Sequence, residues 1–421
     1  MSIRTFYICY FSLREPLVQT QVLPYLRELK QSDIEISILT FEPNFKNSWA
    51  PSEKQEWKTR LAAEGINWHA LPYHKRVSLL ATFYDIAMGA FLLFKLRKQI
   101  DVLHARSHVA AAVGSIAKRF IGCPLIFDIR GFFPEEYVDA GIWTGGGFIY
   151  RLTKFVEKRL FAAADAFVVL TGKARDILFG EDATVDEKGR PIEVIPCCVD
   201  LGRFQPVADL DKEAVRAELG LTGRRVLVYV GALGGWYLTR EMAEFLATAH
   251  EKNPNSFSLI LTQSPPAMIA DEFKKLKIPE NDYLIKQVAP AEIPRYLKTA
   301  DLAISFIKPC YSKLASSPTK LAEYLASGLP VIANGGIGDV DDVLQNDRVG
   351  VVINEFTASA YRKALREAEQ LLQDKSAVAR CRESAMRNFN LEEVGGMRYR
   401  RLYHRLLEIE TKKFAASEVI S

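Results

Sequence analysis

Residues 316–330, SSPTKLAEYLASGLP, combine groups that could hold an anion. Lys320 and Glu323 are the only charged side chains of this segment and lie three positions apart. One interpretation is a solvated ion pair worth about 0.2–0.5 kcal/mol. The functional interpretation is that free N–H groups at a helix start and the Lys320 amine receive a diphosphate, while Glu323 accepts hydrogen bonds from sugar hydroxyls.

A short helix is predicted to position these groups. Ser317 is a favourable N-cap, Pro318 is a favourable first helical residue, and Gly328 is a typical helix end. The pattern therefore predicts a helix over residues 318–327. Ser317 and Thr319 then belong to the candidate anion site, because the first-turn N–H groups of a helix have no partner within the helix.

A glycine-rich segment is the second candidate anion site. GALGGWY follows the predicted strand RRVLVYV and carries Gly231, Gly234 and Gly235. Glycines let backbone N–H groups approach phosphate oxygens closely. The spacing fits neither the dinucleotide fingerprint nor the Walker pattern, so an ordinary strand-to-helix turn is the alternative interpretation.

Charged residues also follow two predicted strands in the first half of the chain. FDIRGFFPEE contains Asp128 and Arg130, and HARSH ends with His108 at the close of the preceding strand. His108 or Asp128 could orient or deprotonate a hydroxyl group. The alternatives are an ion-paired structural corner for the carboxylate and a packing role for the histidine.

The elements that must position these residues alternate along the chain. Short apolar runs such as EISILTF and PLIFDIRG alternate with helical patterns, which is typical of parallel strands buried between helices. The pattern restarts after residue 200. We therefore expect two α/β domains, residues 1–200 and 201–396, with a basic helix at about 397–421 that returns to the first domain.

Composition narrows the class of protein. The net charge of +4 does not predict nucleic-acid binding. Six scattered cysteines show neither a disulfide framework nor zinc-ligand spacing. The chain starts with a pattern closer to a β-strand than to a signal peptide, so a cytoplasmic setting is expected.

A metal site is not expected. Asp339, Asp341 and Asp342 in GIGDVDD resemble an acidic metal motif. They stand immediately before a helical pattern, and acidic residues are common in the first turn of a helix.

Two segments bear on membrane association. Residues 77–94 are mostly apolar and flanked by basic residues, but Asp85 argues against a membrane span. A buried helix covering a sheet and a helix lying at a membrane surface are both consistent with the pattern. A second predicted helix, residues 149–161, carries a basic face suited to an anionic surface; its residues are Arg151, Lys154, Lys158 and Arg159.

Four segments together resemble the retaining GT-B glycosyltransferases of family 4. They are SPTKLAEYLASGLPVIAN, YVGALGGWY, VIPCCVDLGRF and FVEKRLFAAADAFVVLT. The resemblance is clearest over residues 100–345. It implies two Rossmann-like domains facing a cleft, with a nucleotide-sugar donor held mainly by the C-terminal domain and an acceptor reaching it from the N-terminal domain.

The chain departs from the family pattern in two places. Such enzymes usually have two glutamates separated by seven residues; Glu323 matches the second, which holds the ribose, and Ala315 stands where the first belongs. The arginine and lysine that usually grip the diphosphate after the first strand of the second domain are missing. Lys320 is expected to neutralise the diphosphate, with Arg240 or Lys313 as further candidates.

The resemblance implies transfer of a hexosyl-type unit with retention, using no cofactor because the nucleotide-sugar is a substrate. Asp128, Arg130 and His108 are then expected at the acceptor side, with Lys320 at the leaving group. A lipid-linked or saccharide acceptor at the inner membrane face, in polysaccharide or glycolipid synthesis, is the preferred hypothesis. A nucleotide-sugar 2-epimerase and a non-catalytic nucleotide-sugar-binding subunit are the alternatives.

Overall fold

The computed structural model describes residues 2–45, 47–74 and 79–418, without the side chains of Leu79 and of residues 410–418. The chain forms two compact units. The first comprises Met1–Pro196 and Leu391–Ser421, and the second comprises Cys197–Asn390. The expected α/β fold with two parallel sheets and flanking helices is confirmed.

The first unit is built on a parallel sheet with the order β3-β2-β1-β4-β5-β6-β7. Its strands are β1 Ile3–Cys9, β2 Ile34–Pro43, β3 Ile66–Tyr73, β4 Val102–Arg106, β5 Leu125–Asp128, β6 Ala166–Val169 and β7 Ile192–Val194. Its helices up to residue 196 are α1 Pro16–Gln21, α2 Leu23–Lys30, α3 Pro51–Ala63, α4 Leu79–Lys95, α5 Ser107–Ile121, α6 Phe133–Asp139, α7 Phe148–Ala163 and α8 Gly172–Phe179. The central strands β4, β5 and β6 are buried along their whole length, which explains the apolar sequences of β5 and β6, whereas β4 also buries His104 and Arg106.

The second unit repeats this plan with the order β10-β9-β8-β11-β12-β13. Its strands are β8 Arg225–Val230, β9 Ser256–Leu261, β10 Tyr283–Lys286, β11 Leu302–Ser305, β12 Val331–Asn334 and β13 Gly350–Ile353. Its helices are α9 Gln205–Ala208, α10 Lys212–Glu218, α11 Thr239–Lys252, α12 Ala267–Lys275, α13 Ile293–Thr299, α14 Thr319–Ala326, α15 Val340–Asn346, α16 Ala358–Gln373 and α17 Ala377–Phe389.

The last helix, α18 Met397–Glu418, follows a π-helical segment at Leu391–Gly396 and packs on the first unit, where it contacts β7. Tyr399 and Tyr403 on this helix are completely buried. The Tyr399 hydroxyl reaches Asp128 at the carboxyl end of β5, and the Tyr403 hydroxyl bonds to His104 within β4, so α18 contributes to the chemistry of the first sheet.

The predicted apolar segment 77–94 falls largely on α4, although residues 77 and 78 lie outside the described residues. Asp85 is buried and accepts hydrogen bonds from the Tyr10 hydroxyl at 2.7 Å and the His74 backbone N–H at 3.2 Å. Within the described part of the chain, no helix has both the length and the apolar character that a bilayer crossing requires.

Both sheets reverse their strand order at one point, between β1 and β4 in the first unit and between β8 and β11 in the second. In open parallel sheets, ligands bind beside the carboxyl ends of the strands at such a point. Arg106 is the last residue of β4, and Gly231 directly follows β8. These two residues therefore mark where each unit is built to receive a ligand.

Candidate active site

Lys320 and Gly231 come together in the second unit. Lys320 lies in the first turn of α14, and its Nζ would be 2.7 Å from a Cβ atom placed on Gly231. Gly231 has a φ of +139°. The backbone conformation therefore favours glycine directly after β8, and a Cβ atom there would also displace the Lys320 amine.

The amine of Lys320 lies in an aromatic slot. It donates a hydrogen bond to the Tyr229 hydroxyl at 3.0 Å, and it lies 4.2 Å and 4.0 Å from the ring centroids of Tyr229 and Tyr237. The residue is only 8% exposed. Burial lowers the pKa of Lys320 to about 7, against the opposing effect of the Glu323 carboxylate. The amine is therefore poised to take up a proton when an anion arrives.

Glu323 lies one turn further along α14 and pairs with a cation from another segment. Its Oε1 is 3.4 Å from Nη1 of Arg203, which lies in the short 3-10 helix after residue 200. Burial raises the pKa of Glu323, although Arg203 and Lys320 oppose this rise. The solvated i, i+3 ion pair that was one interpretation of the sequence is thus wrong: Lys320 is buried, and the carboxylate bonds to Arg203.

The start of α14 differs from the prediction. The helix begins at Thr319 with Pro318 as the N-cap residue, and no side chain caps it. Ser317, the predicted N-cap, instead accepts a hydrogen bond from the backbone N–H of Cys197 at 3.0 Å. Pro318 has no N–H to satisfy, and its extended backbone turns Ser317 toward the start of the second unit.

Part of the glycine loop is already hydrogen-bonded within the unit. The N–H of Leu233 donates to Ser264 Oγ at 3.0 Å, and the N–H of Gly234 donates to Thr239 Oγ1 at 2.8 Å. Gly234 and Gly235 have φ values of +73° and +58°. The glycines thus permit a tight turn that holds the loop in place, while the charge at this edge comes from Lys320.

The two further candidates for charge neutralisation lie in different surroundings. Arg240 is largely exposed on α11 and bonds to Glu244 at 2.8 Å, one turn away. Lys313 is buried, with Nζ 4.0 Å from the ring centroid of Trp236 in the glycine loop. Of these two, Lys313 is the one placed beside the loop.

Asp128 and Arg130 meet at the carboxyl edge of the first sheet. Arg130 Nη2 donates to Asp128 Oδ2 and to the Tyr399 hydroxyl, both at 2.8 Å, and Tyr399 donates to the same carboxylate oxygen at 3.0 Å. Burial would raise the pKa of Asp128, but Arg130, His104 and Arg106 hold it well below its usual value. A buried carboxylate of low pKa is a weak proton acceptor, so its contacts favour positioning over base catalysis.

His108 lies in the first turn of α5, because β4 ends at Arg106 rather than at the predicted end of HARSH. Its Nε2 is 3.0 Å from Glu157 Oε1 on α7, and its ring stacks on Phe133 with centroids 5.1 Å apart. Burial would raise the pKa of Glu157, but hydrogen bonds with His108 and Lys154 keep it lowered. His108 is therefore held by a charged carboxylate in an aromatic setting.

The aspartates of GIGDVDD lie at the start of α15, where Asp341 and Asp342 occupy the first turn. Asp341 Oδ2 accepts a hydrogen bond from the Gly336 N–H at 3.1 Å. Among the residues that the structure describes, no group of three His, Cys, Asp or Glu side chains is arranged to hold a metal ion.

Sequence reasoning missed three residues of these sites. Arg203 belongs to VIPCCVDLGRF, a segment that carries the family resemblance, so its motif was a usable signal. Tyr237 was visible as the end of GALGGWY, but only the fold shows that its ring covers Lys320. Arg106 was hidden inside an apparent strand, and its position becomes informative only when the strand order is known.

Comparison with protein families gives two matches that lie side by side along the chain. The glycosyl transferase 4-like domain model matches residues 18–198. The model of the glycosyl transferases group 1 matches residues 211–387. A curated relative, D-inositol 3-phosphate glycosyltransferase of Corynebacterium jeikeium, is 23% identical over 318 residues, covering 72% of this chain and 70% of the relative.

Solved structures share the fold over nearly the whole chain. A glycosyltransferase from Rickettsia africae has a TM-score of 0.69 at 15% identity, covering 96% of this chain and 99% of its own. The Anabaena protein HepE, determined with UDP and glucose, has a TM-score of 0.66 at 13% identity, and the match covers 97% of this chain and 100% of the HepE chain. Sucrose-phosphate synthase from Thermosynechococcus elongatus has a TM-score of 0.69 at 16% identity, and the match covers 97% of this chain and 100% of the synthase chain.

Proposed function

This chain belongs to the GT-B glycosyltransferases of family 4, group 1, and we propose that it moves a hexosyl-type unit from a nucleoside diphosphate to an acceptor hydroxyl with retention of configuration. The observation that carries this proposal is the buried Lys320 amine beside Gly231, at the point where the second sheet reverses its strand order. HepE, of the same fold, was determined with UDP-glucose, which supports a sugar diphosphate as the donor class.

In the proposed reaction, the bond between the sugar and the β-phosphate breaks as an acceptor hydroxyl attacks from the same face. Negative charge then grows on the departing diphosphate. Protonated Lys320 would stabilise that charge, helped by the free N–H groups of the first turn of α14. Glu323, held by Arg203, would accept hydrogen bonds from the ribose hydroxyls. Ser317, Thr319 and the glycines of the loop would line the same donor site.

We propose separate roles for the charged residues of the first unit. Asp128 holds Arg130 in place through the shared oxygen Oδ2. His108, fixed by Glu157, is the proposed partner for the acceptor hydroxyl, because histidine is the side chain that most often serves as a general base. His108→Gln should lower turnover while donor affinity stays unchanged, and unaltered turnover would remove this role.

We further propose that the enzyme works at an anionic membrane surface on a lipid-linked acceptor. Helix α5 packs against both α4 and α7. About half of the large hydrophobic side chains that are exposed in the described chain lie on these three helices. We name them the apolar face: Leu80, Phe83, Tyr84, Phe91, Phe94, Ile116, Phe120, Phe148, Ile149, Leu152, Phe155 and Val156.

Basic groups accompany the apolar face, as expected for an interface with anionic lipid. Lys95 Nζ lies 4.5 Å from the Phe91 ring centroid, and the guanidinium carbon of Arg159 lies 5.1 Å from that of Phe155. The rings of Phe94 and Phe120 are 6.2 Å apart, so the face continues from α4 to α5.

Vesicle sedimentation tests the membrane proposal. The protein should bind phosphatidylcholine vesicles only when they contain phosphatidylglycerol, and Phe91→Ser with Phe120→Ser should abolish binding, since each phenylalanine contributes about 1.5–3 kcal/mol when buried in lipid. Met268→Ser, at an exposed site of the second unit, is the matched control. Equal binding by all variants would contradict the proposal.

Nucleotide release tests the transfer itself. With the fitting nucleotide-sugar, release should rise when membrane extract supplies the acceptor, and Lys320→Ala should lower turnover more than tenfold with the fold intact. Lys363→Ala, at an exposed lysine of α16, should leave turnover unchanged. Wild-type turnover in Lys320→Ala would remove the proposed role, and an epimerised nucleotide-sugar as product would contradict glycosyl transfer.

A further inference from the structure

Arg106 is a buried cation at the ligand-binding point of the first sheet. It ends β4, where the strand order reverses, and it lies in register with Cys9 at the end of β1. The residue is 3% exposed. The next residue, Ser107, has a φ of +76°, which is uncommon for a residue with a side chain, and it begins the 15-residue helix α5.

The charge of Arg106 is poorly compensated. Its Nη1 is buried and has no hydrogen-bond partner among the residues that the structure describes. The ion pair between Nη1 and Asp128 Oδ2 spans 3.9 Å. That oxygen already accepts hydrogen bonds from Arg130 and Tyr399. Buried polar groups of a folded protein are normally satisfied, so a buried guanidinium in this state points to a ligand.

The local balance of charge is positive. Arg106 and Arg130 both pair with the single carboxylate of Asp128. Burial lowers the pKa of His104, so this neighbour is a neutral imidazole near pH 7. Glu42, another buried carboxylate at this edge of the sheet, accepts hydrogen bonds from three other groups around it. Arg106, whose ion pair with Asp128 is the longer of the two, is therefore the weakly compensated guanidinium within the described part of the chain.

We propose that Arg106, together with Arg130, binds a phosphoryl group carried by the acceptor. Two guanidinium groups offer the planar, multiple donors that match phosphate oxygens, and the start of α5 adds a positive helix end beside them. The identification of the ligand as an acceptor rests on the proposed glycosyl transfer. The anion site itself is argued from residues of the first unit alone.

Calorimetric binding of two small probes tests the site. Inorganic phosphate and glycerol 3-phosphate are titrated into the Lys320→Met protein, which removes the amine of the proposed donor site. Both probes should bind, and adding Arg106→Gln should weaken both at least tenfold. Arg4→Gln, which removes a guanidinium at the opposite end of the β1–β4 pair, should change neither affinity.

The outcomes separate the sources of the anion. Binding of inorganic phosphate without glycerol 3-phosphate would make this a site for the free ion and overturn the assignment to an acceptor. Affinities unchanged by Arg106→Gln would overturn the site. Nucleotide-sugar binding should survive in the Arg106→Gln single variant, so a failure of the proposed donor site is seen independently.

Thermal unfolding distinguishes ligand binding from a structural role. In phosphate-free buffer, Arg106→Gln should keep or raise Tm, because it removes an under-compensated buried charge. A lower Tm together with unchanged phosphate affinity would show a structural role and overturn the proposal. Arg106→Lys keeps the charge without the planar fork, so it should fold normally and bind phosphate several-fold less tightly; undiminished affinity would contradict the fork-based site.

Discussion

The affinity for a nucleotide-sugar should depend on pH through Lys320. Its amine is buried between Tyr229 and Tyr237, and burial lowers its pKa to about 7. A bound diphosphate favours the ammonium form and so returns the pKa toward the ordinary value of about 10.4. Between these two values, binding takes up a proton.

The sign and size of the effect follow from this uptake. Below pH 7 the free amine is already protonated, so affinity should be nearly constant. Above pH 7 the rise of the dissociation constant should approach tenfold per pH unit, which amounts to about fiftyfold between pH 7 and pH 9. A nucleotide-sugar is the right ligand for the assay, because its diphosphate is esterified at both ends and has no titrating group in this range.

Calorimetric titration across pH 6–9 measures the profile, and Lys320→Met is the control. Methionine fits an aromatic slot and removes a buried amine, so the fold should keep or gain stability. The control should bind more weakly at pH 7, with little dependence on pH. A wild-type profile that is flat above pH 7, or one that Lys320→Met reproduces, would refute the reasoning.

Three further predictions concern single residues. Gly231→Ala should lower stability by about 1–3 kcal/mol and abolish donor binding, because the new Cβ meets the Lys320 amine; chemical denaturation and calorimetry measure the two effects. Glu323→Gln should weaken nucleoside diphosphate binding by about 1–2 kcal/mol while a ribose-free pyrophosphate probe binds as before, and an equal loss for both would contradict the ribose contact. Tyr403→Phe should lower the free energy of unfolding by about 1–2 kcal/mol, because its hydroxyl bonds to His104 and Thr5, which are both buried within the first sheet; unchanged stability in urea would show that these bonds contribute little.

The sequence predicted the α/β fold because the strands of both units carry a clear pattern. Apolar runs such as those of β6 and β8 are largely buried, and the helices between the strands of each unit allow parallel pairing. The same pattern placed the glycine loop at a strand end, where Gly231 does lie.

The proximity of Lys320 and Gly231 was within reach of the sequence, since each was assigned to a ligand-binding edge of the same domain. The local details of the site could not be predicted from the sequence. Ser317 has the right residue type for a cap, but a tertiary hydrogen bond from Cys197 takes its hydroxyl. The Arg203–Glu323 pair joins residues 120 positions apart, and no local pattern encodes such a contact.

Arg106 shows most clearly what sequence patterns leave out. A single arginine at the end of a predicted strand indicates a solvent-exposed strand end, because arginine is rarely buried. Its burial follows from the order in which the strands pair and from α18, whose Tyr399 shares the oxygen Asp128 Oδ2 with which Arg106 pairs. These are long-range features that only the folded chain displays.

A crystal structure with a bound nucleoside diphosphate tests the central claim most directly. The account predicts a β-phosphate oxygen within about 3 Å of Lys320 Nζ and a ribose hydroxyl hydrogen-bonded to Glu323. A diphosphate bound elsewhere in the second unit, with Lys320 Nζ still donating to the Tyr229 hydroxyl, would contradict it.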